Sequence, residues 1–439
     1  MADQAPAPQR VTFGGPDVHL NLNVRGLAPS ATVAINERSN ELRAAGREVF
    51  KLGLGQSPFP VPEPVVEALR RHAAEKDYLP VRGVKPLREA IAAYLDRAFG
   101  VARSPERVLL GPGSKELMFL LQLVYYGDLV IPTPAWVSYA PQAEIVGRRV
   151  RFLPTRAADG WRLTAERLDM LCRLDATRPR ILILTYPSNP TGLTYEPDAL
   201  AELAEVARRY RVILLSDEIY GELHHQGRHA SIATFYPEGT IVSGGLSKWC
   251  GAGGWRLGMF VFPDGLGWLL DAMAVVASET FTSTSAPIQY AAVRAFEGGP
   301  EIDSYLAASR RVLAALGGWS ARRLRAAGIA ASDPEGAFYL FPDFTAHRDA
   351  LAARGIADSR TLCERLLDET GVAILPGADF GRPDEELTAR LAYVDFDGAA
   401  ALEAVAALPA GAEPDETFLR TRCGGVLTAI DRLCDWAAG

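Results

Sequence analysis

The sequence has few cysteines, histidines and methionines, no long apolar run and no excess of positive charge. Five cysteines (Cys172, Cys250, Cys363, Cys423 and Cys434) are scattered over 439 residues without a C-x-x-C pair. That argues against a disulfide framework and for reduced thiols in the cytoplasm. No uninterrupted apolar stretch approaches the ~20 residues needed to span a bilayer. The opening "MADQAPAPQR" lacks an apolar centre, so it does not read as a secretory signal. Lys and Arg number 46 against 53 Asp and Glu, a net charge of −7. This argues against nucleic acid or anionic membranes as main partners. His224 and His225 form a pair close to His229, with no carboxylate or cysteine at metal-ligand spacing. A solvated loop and no metal are expected there.

What the chain does have is an ordinary globular composition, 48% hydrophobic and 23% charged, over a length that allows more than one domain. Residues 1 to about 25 are rich in Pro, Ala and Gln, so a disordered or draped segment is expected. "ATVAINERSNELRAAG", "EPVVEALRRHAAEK" and "KPLREAIAAYLDRAFG" read as amphipathic helices, and "VFKLGLG" as a short strand entering a Gly/Pro loop. An alternation of strands and helices follows. "RVLLGPG", "DLVIPTP", "RRVRFLPT", "RILILTYP", "RVILLSDEIY", "TIVSGGLS" and "LGMFVFP" are short apolar runs, several of them separated by helical stretches such as "EPDALAELAEVARRY". This pattern predicts a mostly parallel sheet covered on both faces. Ligands then sit beyond the carboxyl ends of the strands, where Ser114, Asn189, Asp217 and Lys248 fall.

After about residue 300 the order loosens. A long helical stretch near 303–327 leads to "GAFYLFPDF", "SRTLCERLLDETG", "VAILPGADF" and "ARLAYVDF", which predicts a smaller α+β domain. The N-terminal segment is expected to pack on it. Leu427, Ile430, Leu433 and Trp436 stand at helical spacing in a docked C-terminal helix.

The segment "LSKWCGAGGWRLG" sets Lys248 among glycines and places Arg256 eight residues later. A desolvated lysine can bond an aldehyde covalently, and an arginine suits a phosphate. Asp217, in "SDEIY", ends an apolar strand and can pair with a pyridinium nitrogen; Tyr220 follows three residues on. "GPGSKE" puts Gly113, Ser114 and Lys115 where a strand meets a helix, with backbone N–H groups available to an anion. Lysine, phosphate-binding arginine and carboxylate together are what pyridoxal 5′-phosphate (PLP) needs.

On "SNPTG", "SDEIY", "SK" followed by "GWRLG", and "ARLAY", in this order, the chain resembles the fold-type I PLP enzymes of the aspartate aminotransferase family, class I/II, over roughly residues 27–400. The resemblance implies a large domain with a mostly parallel seven-stranded sheet between helices and a smaller α+β domain. It divides the chain into an N-terminal arm and helix over 1–60, a PLP-binding domain over 61–310 and a C-terminal domain over 311–439. It implies that Lys248 is the Schiff-base lysine and proton shuttle, and that Asp217 pairs the pyridine nitrogen. Tyr220 and Asn189 would bond the ring oxygen, and Trp136 would stack on the ring. Gly113, Ser114, Ser247 and Arg256 match the phosphate positions. Tyr78 matches a tyrosine that reaches the neighbouring subunit's phosphate, which implies a homodimer. Arg390 matches the arginine that grips the substrate carboxylate, and a bidentate fork suits a planar carboxylate on physical grounds alone. "PSATVAIN" and "GSK" resemble the bacterial Ib subgroup of aspartate and prephenate aminotransferases, which makes Lys115 a candidate handle for a second carboxylate.

Several positions depart from the pattern. Ala252 and Gly253 replace Met-Thr, which is expected to enlarge the space near Lys248. "GQSPF" (Gly55–Phe59) replaces "GEPDF" beside the substrate. Arg82 stands where a small residue is usual, near Tyr78, and is a further candidate for the substrate. The tail beyond residue 400 is longer than the family's. Transamination between an L-amino acid and a 2-oxo acid is the favoured reading. Elimination, replacement or C–S cleavage on the same cofactor is the alternative these departures raise. A DNA-binding regulator is disfavoured, because only about 30 residues precede the match and the chain is acidic.

Overall fold

The β-branched and leucine-rich runs of the sequence become the strands of a central sheet because both of their faces can be covered by helices. The structure is a computed structural model that describes residues 20–409 and 412–439. Residues 1–19 of the expected draped segment lie outside it. Of the rest, Asn23 Nδ2 donates to Ile145 O at 3.3 Å.

In chain order the strands are β1 (Phe50–Lys51), β2 (Val108–Gly111), β3 (Asp128–Thr133), β4 (Val150–Pro154), β5 (Arg180–Thr185), β6 (Ile213–Asp217), β7 (Thr240–Gly245), β8 (Gly258–Val261), β9 (Tyr339–Leu340), β10 (Val372–Ala373), β11 (Leu375–Pro376) and β12 (Ala389–Ala392). Seven of them form one sheet in the order β2-β8-β7-β6-β5-β3-β4, as expected. Only β8 runs against its neighbours. The period-2 alternation of side chains sends neighbours to opposite faces. Ile181 and Ile183 of β5 pack with Leu117, Leu121, Leu269 and Met273, from helices Ser114–Val124 and Gly267–Glu279. Leu182 and Leu184 pack with Leu168, Leu200 and Leu203, from helices Ala165–Arg173 and Pro197–Arg209.

Helix Pro300–Ala326 spans residue 310, where the boundary between the large and the small domain is expected. Beyond it, β9, β12 and β11 form a small antiparallel sheet, and β1 pairs with β10. Helix Ala31–Ala44 lays Leu42 and Ile35 against Leu367 and Ala373 of this region. Glu335 ties the two parts together: both of its oxygens accept from Arg162 Nη2 at 2.8 Å, and one accepts from the Thr194 amide at 2.6 Å. The predicted C-terminal helix is Gly424–Ala438, preceded by a shorter helix, Glu416–Arg422, that the sequence reading did not separate. Val426, Leu427, Ile430 and Leu433 are wholly buried, and Arg432 lies over the Phe50 ring at 4.9 Å while bonding Glu48 at 2.6 Å.

The histidine pair departs from expectation. His224 is buried, and His225 bonds the carbonyls of Pro334 and Ala337. His229 bonds Glu218 at 2.9 Å, with both side chains buried. The His225 ring thus ties this loop to the chain around residues 334–337, and the three rings do not line a solvated loop.

Candidate active site

The parallel strands deliver their carboxyl ends to one cavity of about 300 Å³. Asp217 ends β6 beside Thr185, the last residue of β5, and the two are register partners. Lys248 follows β7, and helix Ser114–Val124 begins three residues after β2. Eleven residues singled out in the sequence line this cavity: Gly55, Ser114, Lys115, Trp136, Asn189, Asp217, Tyr220, Ser247, Lys248, Arg256 and Arg390.

The anion-binding corner is shaped by glycines. Gly113 caps the helix at φ +90°, and a Cβ there would stand 2.2 Å from Arg256 Nη2. A Cβ on Gly258 would stand 2.0 Å from the Ser114 amide nitrogen. Only glycines let strand, helix start and guanidinium approach so closely. Arg256 itself sits at φ +56°, where an L side chain costs about 1–2 kcal/mol. Its guanidinium is held by Gly253 O at 2.9 Å and Pro112 O at 3.2 Å. A helix N-terminus and a fixed arginine side by side could hold a phosphate.

Asp217 is buried, and burial pushes its carboxyl up to about 6. Tyr139 opposes this by donating to Oδ2 at 2.6 Å; Ser243 donates to Oδ1 at 3.4 Å. Tyr139 Oη also lies 2.7 Å from Thr185 Oγ1. Lys248 Nζ donates to Gly55 O at 2.6 Å, and burial, with Arg390 nearby, brings its amine down to about 8. Burial, with Arg256 nearby, also lowers Lys115, whose Nζ lies 5.2 Å from the centre of the Trp136 ring.

Arg390 is fully buried in β12. Nη1 donates to Asn189 Oδ1 at 3.3 Å, Nη2 donates to Gly53 O, and Nε has no partner. Its guanidinium lies 5.0 Å from the Tyr339 ring and 5.1 Å from the Phe380 ring. A buried donor without a partner is costly, and here it belongs to a cation lining the cavity. Four cations line the cavity (Lys115, Lys248, Arg256 and Arg390) against one carboxylate, Asp217. That imbalance calls for anionic occupants.

Three residues from the sequence reading stand elsewhere. Gly113 borders the anion-binding corner without lining the cavity. Tyr78 is 91% exposed and outside it. Arg82 pairs with Asp271 and donates to Glu106 O at 3.4 Å, away from the cavity. Ala252 is buried in the hydrophobic core, and neither it nor Gly253 lines the cavity, so the expected extra space beside Lys248 does not form there. The sequence reading missed Thr32, Tyr139, Thr185 and Tyr339, all of which line the cavity. Tyr139 opens helix Tyr139–Ile145, and its ring meets that of Trp136 edge to face at 5.2 Å.

Comparison with known proteins agrees with this geometry. A family profile described as aminotransferase class I and II matches residues 47–405. The chain is 33% identical over 380 residues to the aspartate aminotransferase of Geobacillus stearothermophilus, covering 84% of this chain and 93% of that one. It is 33% identical over 366 residues to the aspartate/prephenate aminotransferase of Thermus thermophilus, covering 82% and 91%. The solved aspartate aminotransferase from Thermus thermophilus with maleate superposes with a TM-score of 0.79 at 31% identity, over 89% of this chain and 98% of that one. The chain belongs to the class I and II aminotransferase family.

Proposed function

We propose that this amino-acid aminotransferase holds PLP in the cavity and takes a dicarboxylic L-amino acid as donor, with a 2-oxo acid as acceptor. When bound, PLP supplies a carbonyl that accepts the amino group and a ring that withdraws electrons. The observation that carries the reading is the convergence of Lys248, Asp217 and Arg390 on one cavity that Ser114 and Arg256 also line.

Gly113, Ser114, Ser247 and Arg256 would hold the phosphate. Asp217, kept ionised by Tyr139, would pair with the ring nitrogen. Tyr220 and Asn189 would face the ring oxygen, and Trp136 would cover the ring. Lys248 is the amine that would anchor the cofactor. With its pKa lowered to about 8, Nζ is suited to take the substrate Cα proton and return it, as base and then acid. Arg390, through its free Nε, would grip the α-carboxylate. Lys115 stands beside Trp136 as the handle for a second carboxylate, and the relative solved with maleate, a dicarboxylate, supports that assignment.

The exposure of Tyr78 supports a homodimer in which it reaches the neighbour's site. Among the described residues no helix is long and apolar enough to cross a membrane. With the five free cysteines, this favours the cytoplasm. The test is a visible absorbance spectrum of the PLP-loaded protein after single amino acids are added without acceptor. A stable loss of the cofactor's long-wavelength band with aspartate or glutamate is the expected result. A band that returns while the amino acid is consumed would replace this reading with elimination chemistry.

A further inference from the structure

The hydroxyls of Tyr220 and Tyr339 lie 2.7 Å apart, buried, with their rings edge to face at 81°. A pair of phenols at this distance shares one hydrogen bond, and either can be the donor. Tyr339 also touches the other working parts of the cavity. A Cβ on Gly55 would stand 2.0 Å from Tyr339 Oη, so that hydroxyl occupies the space a side chain at 55 would take. The Gly55 carbonyl is the one that holds Lys248 Nζ. The Tyr339 ring lies 5.0 Å from the Arg390 guanidinium.

We infer that Tyr339 is a positioning residue that orients the Tyr220 hydroxyl toward the cofactor's ring oxygen. The inference rests on the PLP reading above. If Tyr220 gives its only proton to the ring oxygen, it cannot also donate to Tyr339. Tyr339 must then donate to Tyr220. A phenol that receives a hydrogen bond is a better donor, because charge drawn onto its oxygen is already stabilised. Tyr339 therefore strengthens the bond from Tyr220 and favours the deprotonated, negative ring oxygen. The same side chain packs against Arg390 and Gly55, so it keeps Tyr220, the lysine's carbonyl anchor and the carboxylate-binding arginine in a fixed relation.

The test compares wild type with Tyr339→Phe and Tyr220→Phe, loading each with PLP and titrating the bound cofactor's absorbance against pH. PLP affinity is measured in parallel by adding cofactor to the cofactor-free protein. Tyr339→Phe keeps the ring and removes only the hydroxyl. The expected result is a pH midpoint raised by about half a unit, in the same direction as Tyr220→Phe but smaller. The double variant should shift no further than Tyr220→Phe alone, since Tyr339 acts through Tyr220. An unchanged midpoint in Tyr339→Phe, with wild type titrating normally, would overturn this inference and leave the PLP reading intact. Additive shifts in the double variant would also overturn it, by showing that Tyr339 acts independently. A wild-type protein that binds no PLP would overturn the cofactor reading itself.

Discussion

Tyr139 Oη donates to Asp217 Oδ2 at 2.6 Å while lying 2.7 Å from Thr185 Oγ1, so the cavity's one buried carboxylate is held by a phenol from a different strand crossover. A hydrogen bond to the ionised form lowers a carboxyl's pKa. Tyr139→Phe removes it and lets burial push Asp217 above its present value of about 6. The acidic limb of the kcat/KM profile should move up by about one pH unit. A profile that keeps its acidic limb would show that the phenol does not tune Asp217.

The cofactor-free protein should carry a stability cost at its own centre. Lys248 is lowered from 10.5 to about 8, chiefly by burial. Between those values the unfolded chain binds more protons than the folded one. The lysine's favourable contribution is therefore complete above pH 10.5 and lost as pH falls through about 8. Lys248→Met should raise the Tm of cofactor-free protein by a few degrees at pH 7 and by less at pH 10. The same variant should lose turnover entirely. A gain in Tm that does not change with pH would mean that removing the charge is not its source.

Asp217 has the opposite sign. Its folded value of about 6 exceeds the ordinary 3.8. Its contribution to stability is thus complete below about pH 4 and lost as pH rises through about 6. Asp217→Asn should stabilise the cofactor-free protein at pH 7 and weaken catalysis, and thermal melts at pH 4 and pH 7 will separate the two states.

Lys115→Ala should raise KM for dicarboxylic amino acids about tenfold or more, equivalent to roughly 1.4 kcal/mol, and leave neutral amino acids much less affected. Equal effects on both substrate classes would remove Lys115 from recognition.

Arg390→Lys should cost about a hundredfold in kcat/KM, because a lysine cannot reproduce a planar fork that bonds Gly53 and Asn189 and would still offer Nε to a carboxylate. Steady-state kinetics with good donors check this. A loss under threefold would contradict the role drawn from the free Nε.

The sheet was legible because apolar runs such as "RILILT" and "VILLS" alternate with amphipathic helices, and each run became a strand. The polar residues at strand ends were legible for the same reason. Tyr139 and Tyr339 were not, because an aromatic in "WVSY" or "AFYLF" looks the same whether it fills a core or lines a cavity. Arg82 was misplaced because its partner, Asp271, is 189 positions away and leaves no trace in local spacing. The reading of the histidine pair failed similarly: the partners of His225, Pro334 and Ala337, are more than a hundred positions away. Ala252 shows the remaining limit. Side-chain size was readable, but the direction in which the small residue opens depends on the turn, which packs it into the core.

The C-terminal helix reaches further than its distance from the cavity implies. Arg432 clasps Glu48 and covers Phe50, which stands just ahead of the segment whose Gly53 and Gly55 carbonyls receive Arg390 and Lys248. The C-terminal helix therefore anchors the stretch that holds both Arg390 and Lys248. Loosening the grip of Arg432 on Glu48 and Phe50 would slacken the centre from a distance.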